Sequence, residues 1–136
     1  MTYTQPDAIA AIARAIQTEQ NYVFAAGLAG AFLRGAGRRR AVNQLAEHRA
    51  RLQTNAALVD PAEVPATPPG FTPESPITDP TTARSALAAL SNALVGVYAD
   101  VASVTEGADR ATAIAWAQAS ARDAVRWDAA SQAFPT

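Results

Sequence analysis

Between residues 60 and 80 the chain reads DPAEVPATPPGFTPESPITDP, and seven of its nine prolines fall in that stretch. Proline fixes φ and has no backbone N–H, so neither a helix nor a central strand can run through it. Regular structure must therefore lie on the two flanks, and both flanks read as helix. On the N-terminal side Ile9, Ile12, Ile16, Glu19, Val23, Ala26, Gly30 and Leu33 recur three and four residues apart, which predicts a helix over residues 5–34. Thr4 with Asp7 three residues on resembles a capping box, Pro6 suits a first turn, and RGAG at 34–37 supplies terminating glycines.

A second stripe, Val42, Leu45, Leu52, Ala56 and Val59, predicts a helix over 39–59, stopped by Asp60-Pro61. Beyond the prolines, Ala83, Leu87, Leu90, Leu94, Val97, Val101 and Val104 form an unbroken stripe over 80–105, with Asp79 as N-cap and Pro80 at the first helical position. TEGADR then turns into a fourth helix over 108–131, polar at Gln118, Arg122 and Arg126, with Ile114, Trp116, Val125 and Trp127 among alanines elsewhere. No run alternates as a strand would, so the class is all-α.

The short connections make antiparallel hairpins of helices 1 and 2 and of helices 3 and 4. The linker over 60–79, extended at ~3.1 Å per residue, reaches roughly 60 Å, whereas helices of 20 to 25 residues are only ~30–38 Å long. It can cross a whole bundle, which makes helices 2 and 3 parallel, the ferritin-like arrangement. Two hairpins on a flexible hinge are the alternative, but Val64, Phe71 and Ile77 give the linker apolar side chains to pin it.

With 136 residues, 49% hydrophobic and 17% charged, the chain suits one domain over 1–136 that needs no crosslinks. Tyr22 to Leu33 reads as the longest strongly apolar stretch and is too short to cross a bilayer. The start MTYTQPDAIAAIARAI has no signal or transit pattern, so a soluble cytoplasmic protein is expected. The absence of cysteine excludes disulfides, thiolate metal sites and thiol nucleophiles. A net charge of -1 gives no general attraction to nucleic acid or to a membrane surface. All eleven basic residues are arginine and alanine occurs 35 times, which reads as coding bias.

TEQNYVFAAG at 18–27, LAEHRARLQ at 45–53, the proline-rich crossing, LSNALVGVYADV at 90–101 and ARDAVRWDAASQAFPT at the end, in that order and spacing, resemble the ferritin-like domain family of unknown function found in actinobacteria. The resemblance spans essentially the full chain. It implies a ferritin-like four-helix bundle far more than an activity.

Ferritin-like di-metal proteins use one Glu from each of two helices and a Glu-x-x-His pair from each of the other two. The residues that could contribute are Glu19, Glu47, His48 and Asp123, but Ala50 follows Glu47 by three and Arg126 follows Asp123 by three. The ligand set is incomplete, so no metal, cofactor or catalytic residue is assigned. Glu47 and His48, adjacent on a helix, point about 100° apart. The expectation is that His48 sits at a packing boundary and that Glu47 pairs with Arg51. Glu19 lies on the core stripe and needs a partner, with Tyr22, His48, Arg49 and Tyr98 as candidates. A small-molecule pocket beside it is a weaker alternative.

Phe24, Leu28 and Phe32 form a second apolar line on helix 1, to be covered by the linker or by another subunit. Gly27, Gly30 and Ala31 would permit close approach there. Trp116 and Trp127 read as core. Arg38, Arg39 and Arg40, with Arg34, cluster at the first turn; no aromatics or Gly-rich loop accompany them, so they suit an acidic protein partner better than nucleic acid. The functional expectation is a non-catalytic bundle acting by self-association, as a dimer, or by protein binding. The alternative is a metal-binding ferritin-like protein, an iron binder or an oxidase, with an unorthodox carboxylate site at Glu19.

Overall fold

The computed structural model describes residues 2–68, 72, 73 and 75–133. Among these residues there are four α-helices and no strand: α1 (Pro6–Gly30), α2 (Gly35–Ala56), α3 (Pro80–Val104) and α4 (Gly107–Ala133), with one 3-10 turn at Pro61–Glu63.

The start of α3 follows from its sequence. Asp79 Oδ1 accepts from the Thr82 amide at 2.8 Å, and Thr82 Oγ1 accepts from the Asp79 amide at 3.0 Å. With Pro80 in the first turn this is a complete capping box, satisfying donors a helix start leaves open. No such box forms at Thr4: the N-cap of α1 is Gln5, with no side-chain cap bond. Nor does α1 reach residue 34. It ends at Gly30, Phe32 and Leu33 bond back to the Ala29 carbonyl, and Arg34 is extended. Gly35, at φ +56°, then starts α2 four residues earlier than expected, and Gly107, at the same φ, makes the turn into α4. Both positions lie in the left-handed region that glycine adopts without steric cost.

Hydrogen bonds fix the helix directions. The Tyr3 amide donates to the Leu58 carbonyl at 2.8 Å and the Tyr3 hydroxyl to Asp109 at 2.8 Å. The start of α1, the end of α2 and the start of α4 therefore share one end of the molecule. Toward the other end Trp127 donates to Gln44 at 3.0 Å. Helices α1 and α4 run one way and α2 and α3 the other. The main packing is α1 on α2 and α3, and α3 on α4.

Because α1 touches two helices, its buried arc is wide: Ala8, Ala11, Ile12, Ala15, Ile16, Tyr22, Ala25 and Ala29 are interior, while Ile9 and Val23 are only half-buried. α3 follows its predicted stripe, with Ala83, Leu87, Leu94 and Val101 buried and Leu90, Val97 and Val104 packed at the margin. By length and composition α3, not Tyr22 to Leu33, is the stretch that could cross a membrane. Here one row of it is buried against α1 and α4, and most of its apolar window is not. α4 turns Ala113, Ser120, Ala124 and Trp127 inward and leaves Gln118, Arg122 and Arg126 outside. Ile114 and Val125 are exposed as well, because its inner face is narrower than its alanine-rich circumference. Along the connection between α2 and α3, Val64 packs against the core, Ile77 is buried and Gln20 donates to the Pro65 carbonyl at 3.4 Å. Phe71 lies outside the described residues.

α2 departs most from expectation. Its inward residues are Ala41, Gln44, His48, Arg51 and Asn55; Val42 is 57% exposed, and Leu45 and Leu52 are half-buried. The polar face, not the apolar stripe, is turned to the interior.

If this row of α3 is interior, Leu87→Ala and Leu94→Ala should each lose about 2–5 kcal/mol in urea unfolding, whereas Val125→Ala on the outside of α4 should stay within roughly 0.5 kcal/mol. Equal effects at the three sites would contradict this packing.

Candidate functional site

The inward polar residues of α2 recur at 44, 48, 51 and 55, four, three and four apart, the spacing of one helical face. Opposite them α1 places Glu19, which is fully buried. An isolated buried carboxylate would be costly, and this one is met by several donors. His48 Nδ1 lies 2.5 Å from Glu19 Oε1, and the Tyr98 hydroxyl on α3 donates to Oε2 at 2.6 Å. Asn55 Nδ2 in turn donates to the Tyr98 oxygen at 3.1 Å. An ionised carboxylate only accepts, so the Nδ1 nitrogen of His48 carries the proton in this arrangement. The donors run in one direction, Asn55 to Tyr98 to Glu19, with His48 closing from the other side.

Arg51 completes the charge balance. Its Nη1 is 4.0 Å from Glu19 Oε2 and donates to Ser120 on α4 at 3.4 Å, and the guanidinium lies 5.2 Å from the Trp116 ring and 5.9 Å from that of Tyr98. The predicted pairing of Arg51 with Glu47 is thus replaced: Glu47 is exposed, and Arg51 is drawn inward by the buried charge. Of the four partners expected for Glu19, His48 and Tyr98 are found, Arg49 is exposed, and Tyr22 bonds elsewhere. His48 does not sit at a packing boundary. It is buried, its face stacked on the Tyr22 ring at 3.9 Å.

Tyr22 leads to a second node. Its hydroxyl and the Trp127 Nε1–H both donate to Gln44 Oε1. Burial pushes the Tyr22 phenol up to about 12, and burial followed by the Glu19 charge pushes Tyr98 up further. Both phenols are therefore neutral donors throughout the physiological range. The network joins all four helices: Glu19 and Tyr22 from α1; Gln44, His48, Arg51 and Asn55 from α2; Tyr98 from α3; Ser120 and Trp127 from α4.

Chemically the centre is closed. A cleft of about 30 Å³ reaches Tyr98, Asn55 and Trp116, and another of about 310 Å³ stops at Gln44; Glu19 and His48 line neither. His48 Nε2 is buried with no hydrogen-bond partner among the described residues. Nor do three His, Cys, Asp or Glu side chains converge among those residues as a metal site would require. Glu47 and Asp123 stand apart from Glu19, in the larger cleft with Arg39, Arg40 and Arg126. Arg38 and Arg39 are exposed, while Arg40 stacks 5.2 Å above Trp127. Phe24 and Leu28 are exposed and line a groove of about 470 Å³ with Leu45, Thr67 and Pro68, whereas Phe32 packs at the core margin. A methyl at Gly27 would sit 3.5 Å from Leu45, an ordinary contact, and one at Gly30 would meet nothing, so neither glycine is required for close approach.

Three measurements follow from this geometry. Glu19→Ala and His48→Ala should each cost about 3–5 kcal/mol, because each leaves a buried partner, and the double variant should lose less than the sum, with a coupling of roughly 0.5–3 kcal/mol. Additive losses would mean the two side chains do not interact. Above pH 10 the unfolded chain releases tyrosine protons that the folded chain keeps on Tyr22 and Tyr98. Stability should thus be full below pH 10 and fall toward pH 12, by up to about 1.4 kcal/mol per pH unit per buried tyrosine. Tyr22→Phe should reduce that slope by about half.

No curated protein matches the chain. Its structure is similar to the crystal structure of rv2844, a conserved hypothetical protein from Mycobacterium tuberculosis, with a TM-score of 0.83 and 21% identity, covering 93% of this chain and 99% of that one. At that identity the likeness concerns the fold. Residues 11–136 match the model of a family described as a domain of unknown function, and on that match the chain belongs to this family, DUF4439.

Proposed function

We propose that the protein is a non-catalytic, ferritin-like four-helix bundle that acts by association, with a second copy of itself or with a protein partner. The opposed directions of α1 and α2, the shared direction of α2 and α3, and the proline-rich connection between them support a ferritin-like crossover. The observation that carries the non-catalytic reading is that both oxygens of Glu19 are occupied by donors of the chain itself, His48 on one and Tyr98 on the other. Where a ferritin-like carboxylate protein would use further carboxylates and a second histidine, this interior offers Tyr98, Asn55 and Ser120. That donor set does not fit a di-metal centre.

Association is assigned to the outside of α1, where Phe24 and Leu28 line an apolar groove, and to the start of α2, which carries Arg38, Arg39 and Arg40. Exposed large apolar side chains beside a cleft are the usual composition of a contact surface.

The purified protein is expected to contain no stoichiometric iron, manganese or zinc by elemental analysis, and to show a dimeric native mass. Leu28→Arg should give a monomer of unchanged helical content. One or two tightly held ions per chain, lost in both Glu19→Ala and His48→Ala, would instead make it a metal-binding protein that uses the free Nε2 of His48. A wild-type chain that stays monomeric at high concentration and captures no partner through this face would contradict the associative role.

A further inference from the structure

The cleft of about 310 Å³ between the first half of α2 and the second half of α4 takes no part in the Glu19 centre, although Gln44 borders it. Gln44 is only 5% exposed. Trp127 Nε1 can only donate, so the Gln44 atom 3.0 Å from it has to be the carbonyl oxygen, and the same oxygen accepts from Tyr22. This fixes the orientation of the carboxamide. Its oxygen is committed to the core, and the other end of the carboxamide is the NH₂ group, a donor, beside the cleft that Gln44 lines.

The rest of the lining points the same way. Arg39, Arg40 and Arg126 supply three guanidinium groups, and no ion pair within 4 Å joins any of them to Glu47 or Asp123 among the described residues. Arg40 is held in place by its stacking on Trp127. Burial and then the neighbouring charge of Arg126 lower its pKa from the ordinary arginine value, partly offset by the Asp123 carboxylate. Planar guanidinium forks on two helices, plus a rigid amide, match an oxyanion with several acceptor oxygens.

We infer that this cleft is a binding site for a small phosphate-bearing anion, held by Arg39, Arg40 and Arg126 with the Gln44 amide as its floor. The volume accommodates a phosphate or a small phosphate monoester and leaves the Glu19 centre untouched. Glu47 and Asp123 at the rim oppose the anion, so affinity is moderate and depends on salt. Arg39 and Arg40 also belong to the surface proposed for association, but titration with inorganic phosphate needs no partner and so tests this site separately from that reading.

Isothermal titration of the full chain with inorganic phosphate at constant ionic strength tests it. The expected result is saturable binding at one site per chain with a Kd below about 10 mM. Affinity should be weakened at least roughly tenfold in Arg39→Gln/Arg126→Gln and tightened severalfold in Glu47→Gln, which removes an opposing carboxylate. All three substituted residues are exposed, and circular dichroism checks that helical content is kept. Absence of saturable binding by the wild-type chain overturns the proposal. So does an unchanged affinity in the folded double variant. If the double variant does not fold, the Glu47→Gln titration decides: tighter binding supports the site, and equal or weaker binding overturns it.

Discussion

A single carboxylate in the interior governs this molecule. Glu19 sits midway along α1, fully out of water. Burying an ionised carboxylate without partners costs several kcal/mol even after relaxation, a sum comparable with the entire stability of a small domain. The neighbouring helices must therefore bring donors to it. α2 does so by turning Gln44, His48, Arg51 and Asn55 inward, α3 by placing Tyr98 between Glu19 and Asn55, and α4 by holding Arg51 through Ser120. The exposure of Val42 is a consequence of the same rotation: a helix cannot show both its polar and its apolar stripe to one core.

The two polar nodes are physically continuous. Glu19 and its donors form one, and Gln44 with Tyr22 and Trp127 forms the other; the stack of Tyr22 on His48 joins them. Hydrogen bonds demand specific distances, whereas apolar contacts tolerate sliding by part of a turn. A core in which every helix contributes at least one partner to a shared network has little freedom of register. Around it alanine is the commonest buried residue, beside Ile12, Ile16, Leu33, Leu87 and Leu94, and alanine permits close approach but specifies little. The polar centre thus supplies the specificity that an alanine-rich interior lacks. In the proposed reading the centre does no chemistry because both oxygens of Glu19 are occupied by donors of the chain itself, and Glu19 lines neither of the clefts that reach Gln44 and Tyr98.

Much of this organisation could be read from the residues. Four helices around a proline-rich connection, the α3 stripe with its Asp79-Pro80 start, and Glu19 as an acid in need of a partner all follow from spacing, because α3 buries ordinary aliphatic residues and Glu19 interrupts an apolar row. The face of α2 did not follow, since apolar periodicity presumes that the inner face is the apolar one. The signal was nonetheless present: Gln44, His48, Arg51 and Asn55 have helical spacing, and a buried acid opposite them needs such a face. The buried arc of α1 was rotated for a related reason. Alanine weighs little on any apolar scale, yet Ala11, Ala15, Ala25 and Ala29 lie at close contacts while Val23 sits at the margin. The turn at 31–35 was misplaced because Gly30, Gly35 and Gly37 each look able to end a helix; α1 stops at Gly30, and the positive φ at Gly35 marks the start of α2 instead.

The claim that Glu19 is satisfied by the protein itself is most directly tested on the single histidine of the chain. Nitrogen-edited proton NMR of uniformly labelled protein can observe the His48 Nδ1–H without ambiguity. The account expects one strongly downfield, slowly exchanging Nδ1 proton, unchanged by a chelator and lost in Glu19→Gln. A spectrum without such a proton, or one in which it emerges only after chelation, would show that Glu19 and His48 are held by something other than each other.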